Sequence, residues 1–477
     1  DAITFLELLT TEYDVATANP PYTDSADFGP DLKKFIEANY KKPYKFNTNL
    51  YATFIKRCYE LTGETGFVAM LHPLTFMFIK TFEDVRKFVL TKTNINLLVE
   101  LGLGGVFANS DVQVDATMYV LEKRKSEANG TYFDLKKYKN HSNKPDIFRK
   151  IYEDYISGFS DDHVFTIPQS KLKVIKSWPF IYWISDEFRG KFKNTTFESV
   201  FKDISVGVQL PGNNDKHLRF LWELIDNSSR FFYSKGGDFC KWYGNVWLTI
   251  PRSMETSVPK VASKRQSLSG ITAGRQSSKG ASFRFKDPNT WVDNGAMNVF
   301  ESRENSYFLL AFSNSKLGSY VFSCLNPTVN KQAGDLKRLP YEKPKHHDYE
   351  IIKNSTISCI NIKDHLSRFD LLTRNYTLSP IRWGGGTEIT IRTKAFFNFE
   401  NHLLAQVIFH EAIINEKVFE VYSLTEQDKS MVLAKEGECI GGLSVLHEAR
   451  LEYLAETEAP QEFPLDNICE FIEALPT

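Results

Sequence analysis

The sequence predicts an α/β chain: the second half of a doubly wound sheet, then a mixed α+β region, then a mainly helical C-terminal part. Three observations predict it. Short apolar runs alternate with segments of helical period as far as about residue 121. From Val164 to Pro340, aromatic, Gly and Pro residues mix without that alternation. Beyond Lys343-Pro344-Lys345-His346-His347 the 3.6-residue period returns.

The first strand is the run Tyr13 to Ala18, stopped by Asn19-Pro20-Pro21-Tyr22 and followed by a polar loop from Thr23 to about Asp31. Asn49 opens a helix whose apolar positions Leu50, Tyr51, Phe54, Ile55, Cys58 and Leu61 share one face, and Gly63 and Gly66 end it. Phe67 to Leu71 reads as a short buried strand closed by His72-Pro73. Thr81 with Asp84 three residues on makes a capping box for a helix through Leu90. Ile95 to Leu101 is the next strand, Gly102 to Ser110 a loop, and Ala116 to Leu121 a further strand. Lys123 to about Asp162 is charged and polar, and reads as a connection or insertion. Phe308 to Phe312 and Leu317 to Leu325 fit helix or strand. Ile351 to Phe369 and His402 to Tyr422 have helical period, and the acidic last fifty residues or so read as helical. The expected division is 1–125, a connection or insertion at 126–163, then 164–342 and 343–477.

A chain of 477 residues is too long for one ordinary core, and 42% hydrophobic with 25% charged residues excludes wholesale disorder. The 58 basic and 59 acidic residues leave a net charge of -1. That balance argues neither for nor against nucleic acid, which needs only a local basic stripe. Six cysteines without a C-x-x-C pair and ten dispersed histidines give no zinc spacing, so no metal is expected. Reduced thiols, no bilayer-length apolar run and no signal-peptide layout place the expected protein in the cytoplasm, with no membrane partner. No Pro-Cys dipeptide occurs, which disfavours the cysteine-nucleophile chemistry of cytosine C5 methylation. The chain opens at Asp1-Ala2-Ile3 without Met, 18 residues before Asn19, and reads as a piece of a longer protein.

Asn19-Pro20-Pro21-Tyr22 carries the chemistry. The exocyclic amine of adenine is a weak nucleophile because its lone pair is delocalised into the ring. A carboxamide oxygen on Asn19 and the Pro20 carbonyl, accepting both amine hydrogens, would draw that nitrogen toward sp3 geometry. Methyl transfer from S-adenosylmethionine then needs no covalent intermediate. Pro20 and Pro21 fix two φ angles and offer no competing N–H. The Tyr22 ring offers a face for an extruded base. His402 and His410 lie on a helical segment and read as structural or surface residues.

These features occur in one order: Asn19 to Tyr22, the helix from Asn49-Leu50-Tyr51 to Phe54, the Gly66-Phe67-Val68 strand ending at Pro73, and the Gly104 to Phe107 turn before the 116–121 strand. Together they resemble the motifs of adenine-N6 DNA methyltransferases whose cofactor motifs precede the catalytic loop. The resemblance implies the second half of a Rossmann-like methyltransferase sheet, and a role for Phe107 over the flipped base opposite Tyr22. Gly102 to Phe107, with Glu100 before it, imitates the glycine turn that holds the cofactor. It follows the tetrapeptide with only two strands between, so it is read as the carrier of Phe107. The family's own cofactor loop and ribose-binding acid are missing from this sequence. Cofactor-binding residues are therefore expected mostly upstream, and this piece alone is expected to be inactive.

Further on, Val206-Gly207-Val208-Gln209 with Gly212-Asn213-Asn214-Asp215, and Lys235-Gly236-Gly237 with Lys241-Trp242-Tyr243-Gly244, resemble signatures of the PglX methyltransferases of BREX phage-defence systems. Leu325-Asn326-Pro327-Thr328 to Leu339-Pro340 is similar to the closing segment of target recognition domains. The resemblance implies that residues 164–342 recognise double-stranded DNA. Between Glu255 and Asp287 there are seven basic residues and no acidic one. That stretch reads as a basic loop on the DNA backbone, with Lys260, Lys264, Arg265, Arg275, Lys279 and Arg284, together with Lys235, as the expected contacts. The expected function is site-specific adenine methylation in a BREX system, with other phage-defence proteins as further partners. The rivals are a fused type IIG restriction endonuclease-methyltransferase, a DNA-recognition subunit that does not methylate, and a methyltransferase for protein glutamine or RNA.

Overall fold

Short runs rich in Val, Leu, Ile and Tyr build a six-stranded sheet in the computed structural model, which describes residues 2–103, 114–124, 128–138, 143–159, 161–193, 195–212, 214–237, 239–277, 280, 282–437 and 439. The chain divides into two compact units, 1–193 and 194–477, and both mix sheets with helices. In the first unit the strands are β1 (Tyr13–Ala18), β2 (Thr62–Pro73), β3 (Asn94–Leu103), β4 (Asp115–Glu122), β5 (Asn129–Asp134) and β6 (Val164–Pro168), in the spatial order β1-β2-β4-β3-β5-β6. β1 pairs parallel with β2, and β3 with β5. β4 runs antiparallel between β2 and β3, and β6 antiparallel to β5. Hence β1, β2 and β3 end at the same edge, where α/β sheets place their ligands.

The helices of this unit are α1 (Ala2–Thr10), α2 (Pro30–Tyr40), α3 (Leu50–Leu61), α4 (Glu83–Lys92), α5 (Lys144–Ile156) and the short α6 (Asp186–Gly190). Along β2 the period of two sorts the side chains: Val68, Met70 and His72 are buried, while Phe67, Ala69 and Leu71 are half-buried. Ile151 of α5 packs against Val99, Leu101, Phe133 and Leu135 on one face. The stretch read as a connection, 126–163, supplies β5 and α5. Tyr132 and Phe133 are fully buried, a run too short to stand out between charged flanks. Asn49 caps α3 as expected, its side chain accepting from the Tyr51 N–H at 3.2 Å. The Thr81–Asp84 capping box does not form. Lys80–Phe82 is a 3-10 turn, α4 begins at Glu83, and the Asp84 carboxylate is drawn to Lys45 at 2.8 Å and Lys87 at 3.6 Å.

The second unit opens with α7 (Phe197–Val200) and two four-stranded sheets. One has the order β13 (Thr290–Val292), β9 (Arg230–Ser234), β10 (Leu248–Pro251), β8 (Arg219–Phe220). The other has β12 (Arg284–Lys286), β11 (Gly270–Gly274), β14 (Ala296–Phe300), β7 (Asp203–Val206), with α8 (Lys260–Gln266) preceding β11. Val208, Leu210, Tyr233, Leu248, Ile250, Met254 and Trp291 form the core of the first sheet. Gly207 is needed where it stands: a Cβ there would lie 2.1 Å from the Val292 carbonyl oxygen. Trp242 is buried, and its indole N–H donates to Glu411 at 2.7 Å. Both positions thus have a packing reason within the signature segments.

The two segments that fitted helix or strand are α9 (Arg303–Asn314) and α10 (Lys316–Leu325). Serines decide it: Ser302 caps the first by accepting from the Asn305 N–H, and Ser315 caps the second by accepting from the Gly318 N–H. α11 (Ala333–Leu336), α12 (His346–Ser367), α13 (Pro380–Trp383), α14 (Ile389–Val421) and α15 (Glu426–Glu436) complete the described residues. α14 starts well before the expected residue 402. Its first turns are anchored by rings, Trp383 stacking on Phe399 at 4.2 Å and Phe369 meeting Phe396 at 5.1 Å. Residues 440–477 of the acidic tail lie outside the described residues.

Candidate functional site

Asn19 leaves the sheet one residue beyond the Ala18–Met70 pair that ends the β1–β2 register. Pro20 and Pro21 then forbid further pairing, since neither has an N–H to give a neighbour. Pro20 is buried, Pro21 and Asn19 are exposed, and Tyr22 is half-buried. The turn is tied down on its far side. The Thr23 carbonyl accepts from the Leu50 N–H at 2.9 Å, Asp24 bridges to Asn49, and the Asp24 carboxylate accepts from the Ala26 N–H at 3.0 Å. Asn49 therefore does two things: it caps α3 and pins the loop that follows the tetrapeptide.

The Tyr22 hydroxyl donates to Asn19 Oδ1 at 3.1 Å. Burial pushes the Tyr22 phenol up from its ordinary value, so it stays a donor. A carboxamide oxygen has two lone pairs, and this bond leaves one for another donor. Beside Asn19 lies a cleft of about 530 Å³ lined by Thr17, Ala18, Met70, Leu71 and Met118–Val120 among others. Phe107, expected opposite Tyr22, and Lys279 lie outside the described residues. β3 ends at Leu103 on the same edge as Asn19.

Behind the loop stands a network that reading the sequence did not single out. His72 is fully buried two residues along β2 from Met70, its ring stacked on Tyr51 of α3 at 4.5 Å. Nδ1 lies 3.0 Å from the Pro73 carbonyl and Nε2 2.8 Å from the Tyr119 hydroxyl. A carbonyl only accepts, so Nδ1 carries the proton and Nε2 accepts from Tyr119. Burial pushes the His72 pKa down to about 4, which keeps the ring neutral. The available signal was the dipeptide His72-Pro73, an ionisable residue closing an apolar strand.

Glu100, in the acidic place of the imitation cofactor turn, is 1% exposed and takes a 2.7 Å bond from Lys136. Gly102, two residues on, has φ +75°, and a Cβ would sit 2.9 Å from Lys136 Cα. Asp115, paired with Leu103 on the neighbouring strand, is pushed up to about 6, by burial first and then by Glu100.

The expected basic loop is not a loop. Its residues form α8, β11 and β12, and only some of its cations face outward. Lys260 and Lys264 are exposed on α8, Lys235 is exposed after β9, and Arg275 is half-buried after β11. Arg265 is held by Asp203 at 2.8 Å. Arg284 is corrected as a DNA contact: it is 1% exposed, and its Nη2 donates to the Gly236 carbonyl at 2.7 Å. Lys286 is also buried, donating to the Gln266, Leu268 and Asp287 carbonyls. Pairing of β12 with β11 draws both side chains inside. His402 is buried against Gln406, and His410 is held down at about 4 by burial. Among the described residues no group of His, Cys, Asp or Glu is arranged to hold a metal ion, and no helix is long and apolar enough to cross a membrane.

The segment that carries Asn19 and its supports matches a known family. Residues 2–107 match the model of the Eco57I restriction-modification methylase family. The chain is similar to the adenine-specific methyltransferase PglX of Lacticaseibacillus casei (strain Zhang), at 24% identity over 375 residues, covering 72% of this chain and 30% of that protein. It is 24% identical over 433 residues to the adenine-specific methyltransferase BrxX of Escherichia coli O9:H4 (strain HS), covering 87% of this chain and 34% of BrxX. A shorter likeness, 23% over 145 residues, is to the type II restriction enzyme and methyltransferase RM.Eco57I of Escherichia coli, covering 30% of this chain and 14% of that one. The chain spans about a third of the length of the two longer-matching relatives. The solved structure of the type IIL restriction-modification enzyme MmeI in complex with DNA shares the fold, with a TM-score of 0.53 at 9% identity over 88% of this chain and 56% of that one.

Proposed function

We propose that this chain is part of an adenine-specific DNA methyltransferase that works on a base flipped out of the duplex. One observation carries the reading: an exposed Asn19 carboxamide, on a proline-stiffened turn at the carboxyl edge of the sheet, beside an open cleft and next to a half-buried Tyr22. Asn19 Oδ1 and the Pro20 carbonyl accept the two amine hydrogens, and the Tyr22 ring stacks on the base. Phe107 is assigned to the base's other face by the family resemblance. Catalysis is then orientation and polarisation of the amine, without a nucleophilic side chain.

S-adenosylmethionine, the methyl donor implied by the family, supplies an activated methyl on a sulfonium. The residues lining the cleft beside Asn19 include no carboxylate to hold its ribose hydroxyls, and Glu100 is committed to Lys136. The described residues do not by themselves fit that cofactor. The division into a catalytic part (1–125), a connection (126–163), a DNA-recognition part (164–342) and a helical part (343–477) belongs to the same proposal. So does membership of a BREX defence system, which rests on the likeness to PglX and BrxX.

Asn19→Ala in the full-length protein is expected to abolish transfer of labelled methyl groups to DNA while DNA binding stays measurable. Methylation at the wild-type rate would overturn the assignment. A fused endonuclease is the second reading, favoured by the likeness to RM.Eco57I, and DNA cleavage by the full-length protein would select it.

A further inference from the structure

A cleft of about 420 Å³ opens in the second unit where three strands end, walled by Lys235, Gly236, Gly237, Arg275, Gln276 and Asn330. Its frame is fixed by backbone pairing: the Arg275 N–H donates to the Gly295 carbonyl at 2.9 Å, the Lys331 N–H to the Arg275 carbonyl at 2.7 Å, and Gln276 bridges to Asn330. Gly237 has φ +84°, and a Cβ there would meet Asn245 Nδ2 at 2.4 Å, so the turn needs glycine.

The charges do not balance. Lys235 is exposed and has no ion pair among the described residues, and Arg275 reaches only carbonyls, Lys331 at 3.4 Å and Asn294 at 3.5 Å. Behind the wall, buried Arg284 gives Nη2 to Gly236, while its Nε and Nη1 have no partner among the described residues. The one carboxylate at the cleft, Asp293, is 8% exposed and accepts from the Gly236 N–H at 3.2 Å and from the Gly295 backbone. The two cations that line the cleft, with Arg284 behind them, thus outnumber the one carboxylate, which is already committed to the turns. A buried guanidinium with Nε and Nη1 unpartnered is costly, and the nearby Asp293 carboxylate is the negative charge that offsets it. None of the described lining residues is aromatic, so a nucleobase would find no stacking surface, whereas a compact anion meets two cationic heads and two amide side chains.

We propose that this cleft grips one phosphodiester of a DNA backbone, with Lys235 and Arg275 as its ligands and Asp293 and Arg284 as the struts that hold the glycine turn. The proposal rests on the reading of this chain as DNA-binding. It fixes where the duplex is held and carries no sequence preference of its own.

The test is the salt dependence of duplex binding by the whole chain, followed by fluorescence anisotropy. Neutralising one phosphate contributes about 0.9 to the slope of log K against log salt. Lys235→Gln and Arg275→Gln serve the same phosphate, so each lowers the slope and the double variant lowers it by about 0.9 in total, not twice that. Between about 50 and 200 mM salt the wild type should lose about 3.5-fold more affinity than the double variant. Arg275→Lys, which keeps the charge, should stay near wild type, and thermal melting checks that each variant is folded. A wild-type slope in the folded double variant overturns the cleft while leaving DNA binding intact. An equal loss in the control Lys394→Gln, an exposed lysine on α14, also overturns it by showing a general charge effect. Calorimetric binding of inorganic phosphate that depends on Lys235, with no change in the DNA slope, would mark a free-anion site and overturn the DNA assignment. Absence of duplex binding by the wild type would sink this proposal and the underlying reading together.

Discussion

Acid should weaken the support of the Asn19 turn through a single histidine. His72 takes its proton only near pH 4 in the folded protein, against 6.5 in an unfolded chain, because it is fully buried with Tyr51 on its face and Tyr119 at Nε2. Between those values the unfolded state binds more protons, so stability falls as pH falls through that window and is fully present above it. The difference is worth about 3 kcal/mol in the limit of a fully protonated ring. Tyr51 and Tyr119, both held above their ordinary values by burial, stay protonated throughout and add no slope of their own. The perturbation is His72→Gln compared with wild type from pH 7 to 4.5. The assay is hydrogen exchange of the β2 and β4 amides under mild urea, which reports this sheet alone. The variant should be less stable at pH 7 by about 1–3 kcal/mol, having lost the ring stack and the bond to Tyr119. The gap should then close as pH falls. A gap constant across that range would refute the idea that a neutral, desolvated His72 holds the strand end.

Two other substitutions separate ring from hydroxyl and charge from packing. Tyr22→Phe keeps the stacking face and removes only the bond to Asn19 Oδ1, so in the full-length enzyme methylation should fall by no more than about tenfold, the worth of one hydrogen bond. Tyr22→Ala should cost more, since base stacking is worth about 1–3 kcal/mol, and equal defects in the two variants would count against stacking. Lys286→Met should destabilise the second unit by about 2 kcal/mol or more in urea unfolding, because the Gln266 and Leu268 carbonyls lose their buried donor. An unchanged midpoint would show that water replaces the ammonium.

The first unit was legible where local pattern and tertiary position agree. β1 to β4 and α3 have a clean period, and their punctuation is chemical: Asn49 caps, while Pro20-Pro21 and Pro73 stop strands. Tyr132-Phe133 was hidden because two buried rings flanked by charges have no period to detect, and their burial is conferred by β3 and α5. Thr81 and Asp84 misled because a capping box competes with ion pairs, and Lys45, distant in sequence, took the carboxylate. The basic stretch misled more deeply. A count of cations cannot show that Arg284 and Lys286 fall on buried positions of a short strand, where carbonyls take the Lys286 ammonium and one Arg284 nitrogen. His72 was missed because a lone histidine in an apolar run has no partner visible within its own strand.

The geometry around Asn19 explains why so few residues can define such a site. Val15 is 54% exposed, and β1 is an edge strand of the described sheet, so β1 alone gives the turn little to rest on. Its position is set from the other side. Pairing with β2 places Ala18, the prolines fix the exit, and Asn49 and Leu50 catch the chain at Thr23 and Asp24, just past Tyr22. β2 is in turn locked to α3 by the His72–Tyr51 stack and to β4 by the bond from Tyr119. Asn19 Oδ1 is thus aimed by a chain of contacts that passes through α3 and returns through Tyr22. Loosening any link should misdirect the acceptor before it unfolds the sheet, because the strand pairs of β2, β3 and β4 do not depend on the turn. A fault at Asn49 should therefore appear in methyl transfer at temperatures where the sheet is still protected from exchange.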